Sequence, residues 1–246
     1  MTDISELEGG ALIIDKEKGW TSFDVVNKLR HLLRVKKAGH TGTLDPNATG
    51  VLVVLFGRAT KLAEKLTRDT VKRYEAEMLF GITTDTQDIT GEVLSKKDKI
   101  NVKEEELLSV MKDFTGDLLQ KPPMYSAKKK DGKKLYEYAR EGIIIEREPS
   151  AIHVFENDLK SFENGRAVIE VCCSAGTYIR TLINDMGEAL DTGACMGDLR
   201  RLSAGDFRIE EALKISDVKR LLDEGTLFDH IITLDELSKR YADNQR

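Results

Sequence analysis

With 246 residues, 40% of them hydrophobic and 33% charged, the chain has apolar material for one large core or two small ones and is neither disordered nor collagen-like. No apolar run approaches membrane-spanning length, and the start MTDISELEGG lacks the basic and apolar stretches of a signal peptide, which points to the cytoplasm. The net charge of -5 argues, taken alone, against a partner as anionic as RNA, but binding a polyanion depends on where the charges lie. The segment KPPMYSAKKKDGKKLYEYAREG, 121 to 142, carries seven Lys or Arg against three acids, and NKLRHLLRVKK, 27 to 37, carries five and no acid.

In chain order, ALII (11 to 14) reads as a short buried strand, followed by the turn DKEKGW. Thr21 then caps a predicted helix in which Phe23, Val26, Leu29 and Leu33 recur at helical spacing, with Asp24 favourable in its first turn. The small-residue loop GHTGTLDPNATG (39 to 50) follows, anchored to the apolar run VLVVLF (51 to 56), which reads as a buried strand ended by Gly57. YEAEMLFG (74 to 81) alternates like a strand with one polar face, TTDTQDITGEV is a polar loop, and Leu107, Leu108, Met111 and Phe114 mark a helix that Gly116 stops.

The basic segment is broken by Pro122, Pro123 and the turn pair Asp131-Gly132, and is expected to project. RAVIEVCCSAG gives a strand, and Ile179, Leu182, Ile183, Met186 and Leu190 give a helix starting near Thr177. Ser216 is expected to cap a short helix stopped by Gly225, and RYADNQR to fray. One mixed sheet with helices packed on it is the simplest architecture. Cys172, Cys173 and Cys195 show no CxxC or Cys/His spacing and read as packing residues, with neither disulfide nor zinc expected.

The loop at 39 to 50 holds a single carboxylate, Asp45, before Pro46. An Asp-Pro pair in a Gly- and Thr-rich loop is ordinarily only turn chemistry. It is not a Walker loop, since Val51 rather than Lys follows Gly50. Metal binding and glycoside hydrolysis would each need further acids or histidines than His40 and Asp45 provide. One Asp remains, as a nucleophile or as a turn residue. Arg180, in the first turn of its helix, is mildly disfavoured there by the helix dipole and by position alone reads as a solvated surface arginine. Tyr178 beside it fits a core position, and the mixture of cations with Tyr125, Tyr136 and Tyr138 suits nucleic acid.

Together these segments resemble the TruB family of pseudouridine synthases. GHTGTLDPNATG with VLVVLFGRATKL is similar to its catalytic motif, GALIIDKEKGWTS to its N-terminal motif, and KRYEAEMLFGITTDTQDITGEV to its tyrosine-bearing strand and loop. KPPMYSAKKKDGKKLYEYAREG resembles its RNA-clasping insertion, and CSAGTYIRTLINDMGEAL with LRRLSAGDF its later motifs, in family order over residues 9 to 207.

The resemblance implies the α+β pseudouridine synthase catalytic fold, a mixed, largely antiparallel sheet with flanking helices, as a single catalytic domain over 1 to 246, with an insertion at about 121 to 150 and no full C-terminal PUA domain. By position it makes Asp45 the nucleophile and Tyr74 the aromatic against the target base, with Tyr178 and Leu199 lining the base pocket. His40 is the histidine associated with flipping out the uridine and Arg180 the partner of the catalytic Asp; Lys61 takes a structural or RNA-contact position, and Lys128, Lys129 and Lys130 are RNA contacts. The implied reaction is isomerisation of uridine to pseudouridine at position 55, in the T loop of tRNA, by a monomer without metal, cofactor or protein partner. Attack at C6 of the uracil and at the ribose C1′ both stay open. An RNA-binding or RNA-folding protein, and a guide-RNA-dependent relative acting on rRNA, are the alternatives. Glu17 and Trp20 stand where the family commonly has Pro and Met.

Overall fold

The computed structural model describes residues 7–243 apart from 69 and 164, so the first six residues of MTDISELEGG, on which the signal-peptide expectation rests, lie outside the described residues. Strand β1 (Gly9–Lys16) is built on ALII and is buried along almost its whole length. Thr21 closes a capping box: its hydroxyl accepts from the Asp24 N–H and the Asp24 carboxylate from the Thr21 N–H, both at 3.0 Å, and helix α1 (Ser22–Leu32) starts there. The helix buries Ser22, Val25, Val26 and Leu29, with Leu33 just beyond its end, whereas Phe23, expected on this face, is 71% exposed. At about 100° of rotation per residue, a stripe that begins on Ser22 leaves the next side chain outside it.

Strands β2 (Ala38–His40) and β3 (Thr49–Gly57) flank the Asp45 loop and pair antiparallel, His40 opposite Val54. A 3-10 turn (Arg58–Leu62) leads into α2 (Ala63–Arg68) and then β4 (Lys72–Phe80), the alternating strand expected from YEAEMLFG. The polar segment after it is a loop held between two short strands, β5 (Ile82–Thr84) and β6 (Val93–Lys96). Helix α3 (Glu104–Asp113) buries Leu107 and Met111 but leaves Leu108 46% exposed, and Gly116 opens β7 (Gly116–Gln120).

In the basic segment, Asp131 and Gly132 have φ of 53° and 81° and turn β8 (Lys129–Lys130) back onto β9 (Lys133–Lys134), ahead of α4 (Leu135–Arg140). Next come β10 (Ser150–Glu163), β11 (Arg166–Cys173), α5 (Ile179–Ala189), β12 (Ala194–Ala204) and β13 (Phe207–Arg208). Helix α6 (Ile215–Glu224) starts from Lys214 rather than Ser216, because the Asp217 carboxylate takes the Lys214 N–H; Gly225, with φ of 77°, ends it as expected. β14 (Ile232–Thr233) and α7 (Leu234–Asp243) follow, so helix occupies the start of the expected frayed tail, whose last three residues lie outside the described residues.

Two compact units result, one of residues 1–74 with 199–246, the other of 75–198, and β4 and β12 contribute to each. In the first, the strand order is β14-β1-β3-β12, with β2 on β3 and β13 on β12. All its pairs are antiparallel except β12 with β3. Alternate residues Ala11, Ile13, Val51, Val53 and Leu55 face one core with Leu66, Phe207, Ile232 and Leu237. In the second, the order is β12-β4-β11-β10-β7. The expected α+β class, a mixed and largely antiparallel sheet with flanking helices, is what forms. All three cysteines are buried, as packing residues should be. No described helix is long and apolar enough to cross a membrane.

The parallel pairing aligns Arg200 with Thr49 and Arg201 with Gly50, and there the two backbones come unusually close. Gly50 has φ of 97°, and a Cβ on it would lie 2.2 Å from the Arg201 carbonyl oxygen. Gly50→Ala is therefore expected to cost about 2–4 kcal/mol, strain and overpacking together, read from the urea midpoint.

Candidate active site

Asp45 is half-buried, neither sealed nor free in solvent, and the loop around it is pinned on both sides. Ahead of it, the buried Ser22 hydroxyl both accepts from the Leu44 N–H (2.9 Å) and donates to the Leu44 carbonyl (3.1 Å). Behind it, the Pro46 carbonyl accepts from the Gly19 N–H at 2.8 Å and from Lys16 Nζ at 3.1 Å. The Ala48 N–H closes a turn onto the Asp45 carbonyl. Farther back, the Gly42 carbonyl accepts from Arg201 Nη2 at 3.1 Å, while Arg201 Nε donates to Val51 at 2.6 Å. One buried guanidinium thus ties the start of the loop to the strand that follows it.

Lys16 and Arg201 are among the largest fully buried side chains. Lys16 Nζ donates to the main-chain carbonyls of Glu17, Trp20 and Pro46. Burial lowers its pKa to about 8; the Asp45 carboxylate opposes that shift and Arg201 adds to it. Because Glu17 and Trp20 meet Lys16 through carbonyls, their departure from the family pattern leaves this contact intact.

His40 ends β2 on the approach to the loop. Its imidazole pKa is pushed down, first by burial and then by the Arg201 charge, with the Gly42 backbone acting weakly the other way, so the ring is neutral at neutral pH. Its buried Nδ1 has no hydrogen-bond partner among the described residues. Leu199 is 8% exposed, and its carbonyl accepts weakly from Thr49 Oγ1 at 3.4 Å, so the β12–β3 register sets it at the end of β3 where the Asp45 loop enters. Tyr74 lies on β4 and is 7% exposed, while Lys61 is exposed in the 3-10 turn.

In the second unit, Tyr178 is the residue from which α5 starts, and Gln120 reads both its backbone groups: the Tyr178 N–H donates to Oε1 at 2.8 Å and its carbonyl accepts from Nε2 at 3.0 Å. Arg180 is 5% exposed, which corrects the solvated surface arginine expected from helix position. Its Nη1 donates to the Thr86 carbonyl at 3.2 Å and its Nη2 to the Tyr125 carbonyl at 2.8 Å. The Tyr125 phenol in turn donates to Asp85 at 3.0 Å. Lys128, Lys129 and Lys130 are exposed, with Lys128 Nζ on Ser150 Oγ (2.6 Å) and Lys130 Nζ on the Glu146 carbonyl (2.7 Å).

Ser22, Lys16, Arg201 and Gln120 were not among the expected site residues.

Comparison with solved structures defines the class first. The chain superposes on a protein from a Cbf5-Nop10-Gar1 complex with a TM-score of 0.76 and 28% identity, covering 97% of this chain and 63% of that one. It also matches one from an H/ACA RNP bound to a substrate RNA containing 2'-deoxyuridine, at 0.72 and 26%, covering 94% of this chain and 61% of that one. It therefore spans less than two-thirds of either solved chain, and shares its fold with both.

Sequence comparison then gives the family. Residues 30–179 match the N-terminal domain of the TruB family of pseudouridylate synthases and 180–242 the tRNA pseudouridylate synthase B C-terminal domain. Proteins named tRNA pseudouridine synthase B are 46% identical in Stutzerimonas stutzeri (88% of this chain, 70% of the relative) and 46% in Bacillus pumilus (92% and 75%). The chain belongs to the TruB family, enzymes that isomerise uridine to pseudouridine in tRNA.

Lys16→Met should cost about 1–3 kcal/mol in urea unfolding, since three carbonyls lose their donor. The unfolded chain holds this proton to about 10.5 and the folded chain only to about 8, so between those values the unfolded state binds more protons. The lysine's contribution to stability accordingly rises with pH across that window. Stability curves of wild type minus variant should show that rise.

Proposed function

We propose that this protein makes pseudouridine at position 55, in the T loop of tRNA, with Asp45 as nucleophile, acting alone as a monomer in the cytoplasm. The observation that carries the reading is a half-exposed carboxylate on a loop pinned at Leu44 and Pro46 on either side of it, in a chain of this family. Isomerisation breaks the bond from C1′ to N1, makes one from C1′ to C5, and moves the C5 proton away while N1 gains one. Nothing is added or lost, so a carboxylate that holds the fragment between the two steps suffices.

The target base first leaves its stack, at a cost of a few kcal/mol. His40, neutral and with an uncommitted Nδ1, serves as the group that fills the space left behind. Tyr74 supplies the ring against the extruded base, and Tyr178 and Leu199 line its pocket. Arg180 is the cation that pairs with the nucleophile and aims it. Its two carbonyl ligands, Thr86 and Tyr125, fix its fork, which lysine does not reproduce. Lys61 and the Lys128–Lys130 run contact RNA backbone, the latter as part of an insertion in a single catalytic domain.

A guide-dependent role is less well supported: identity is 46% to proteins named for tRNA and 28% to the chain from the Cbf5 complex. Release of the C5 hydrogen as tritium from labelled, unmodified tRNA, without any guide, is the expected result; no release by folded protein would defeat the reading. Asp45→Asn should lower release by at least about 10³-fold while tRNA binding persists. Arg180→Lys should lower it by about 10²-fold or more, again without loss of binding.

A further inference from the structure

The second basic run, 27 to 37, has no place in the chemistry above, yet it forms a surface feature. Its residues line an open groove of about 350 Å3 in the first unit, walled by Phe23, Asn27, Arg30, Lys36 and Lys37. Val26, Ala38 and Thr60 complete the lining, so no acid among the described residues faces the groove. Arg30, Lys36 and Lys37 are exposed, and none of them makes an ion pair among the described residues. Arg30 is held by its own helix, Nη2 donating to Asn27 Oδ1 at 2.9 Å. Lys37 is fixed through its main chain, its carbonyl accepting from the Gly57 N–H at 3.0 Å. Three cations are therefore gathered on anchored backbone without internal counter-charge, in a chain whose net charge is -5.

Phe23 is the second observation. Its ring is 71% exposed although a helical position beside a buried stripe was open to any polar residue. An aromatic face left in water next to unpaired cations is the combination that single-stranded nucleic acid uses, bases stacking on the ring while phosphates meet the charges. The groove is also close along the chain to the pinned loop. Ala38 lines it and His40 lies two residues on in the same strand, about 7 Å at the extended rise and roughly two nucleotides of a stacked strand.

We propose that this groove holds the sugar–phosphate backbone of the substrate RNA a few nucleotides from the target uridine, with Arg30, Lys36 and Lys37 on phosphates and Phe23 under one unpaired base. The assignment rests on the reading of this protein as a tRNA-modifying enzyme. A base on Phe23 would be one already unstacked by the extrusion of its neighbour, which ties binding in the groove to opening of the RNA.

The test uses the full chain, an unmodified tRNA transcript and two variants, the triple Arg30→Gln, Lys36→Gln, Lys37→Gln and the single Phe23→Ala. All four residues are exposed or border solvent, and melting curves confirm that each variant folds. The triple variant should bind about tenfold or more weakly near 0.1 M salt, and its slope of log affinity against log salt should flatten by about 2, at roughly 0.7 per lost contact to single-stranded RNA. Phe23→Ala should weaken binding about fivefold or more with the slope unchanged, because stacking releases no counterions. Both should keep the wild-type maximal rate of tritium release at saturating tRNA, within twofold.

An unchanged slope and affinity in the triple variant would overturn the proposal, leaving a solvated basic face. Wild-type affinity in Phe23→Ala would remove the stacked base from it. A maximal rate that falls with affinity would also count against it, since the groove would then be acting on the chemistry or the fold. If the wild type itself released no tritium, the failure would belong to the enzymatic reading.

Discussion

The structure depends on two cations buried beneath one loop. Lys16 and Arg201 take the carbonyls on either side of Asp45, Pro46 behind and Gly42 ahead, so the loop's backbone polarity is used to hold its position rather than left to water. Burying a charge is costly unless its donors are satisfied, and Lys16 meets three carbonyls to offset this. The Arg201 charge also adds to burial in keeping His40 neutral, and the Asp45 carboxylate opposes the effect of burial on Lys16. Positioning and electrostatics thus come from one arrangement, and neither cation has to touch a substrate to matter.

Backbone geometry supports that arrangement from outside. The parallel pairing of Arg200 and Arg201 with Thr49 and Gly50 admits no side chain at Gly50, and this close approach lets Arg201 reach back to both Val51 and Gly42. Ser22, the first residue of α1, meets Leu44 from the other direction, so a helix start and a strand crossing hold one short loop. A loop fixed at both ends in this way holds its carboxylate in place with little positional error.

Much of this fold was legible in the sequence. Periodicity marked β1, β3, β4, β11, α1, α3 and α5, and the turn pair at Asp131-Gly132 marked the small hairpin of the basic segment. What stayed hidden did so for separate physical reasons. The long β10 carries alternating polar residues on a half-exposed face, and its signal merges with loop composition. Phe23 and Leu108 fit helical spacing yet point to water, because spacing defines a stripe only to within one side chain's rotation. The buried roles of Lys16, Arg201 and Arg180 were invisible for a different reason: a cation looks solvated unless its carbonyl partners are known, and those partners are 30, 159 and 94 residues away.

The same distinction decides what the basic segments contribute to binding a polyanion. Counting charges favours the segment at 121 to 142, but several of its cations are already engaged. Lys133 pairs with Glu141 and lies over Tyr138, while Lys134 and Arg140 both lie over the Tyr136 ring. These contacts consume charge and stacking face together, and an RNA must displace them before it gains anything. Arg30, Lys36 and Lys37 carry no such contacts, so each phosphate they meet is a net exchange of counterion for protein. A shorter run with fewer cations is for that reason the more available of the two, and an overall charge of -5 says little about either.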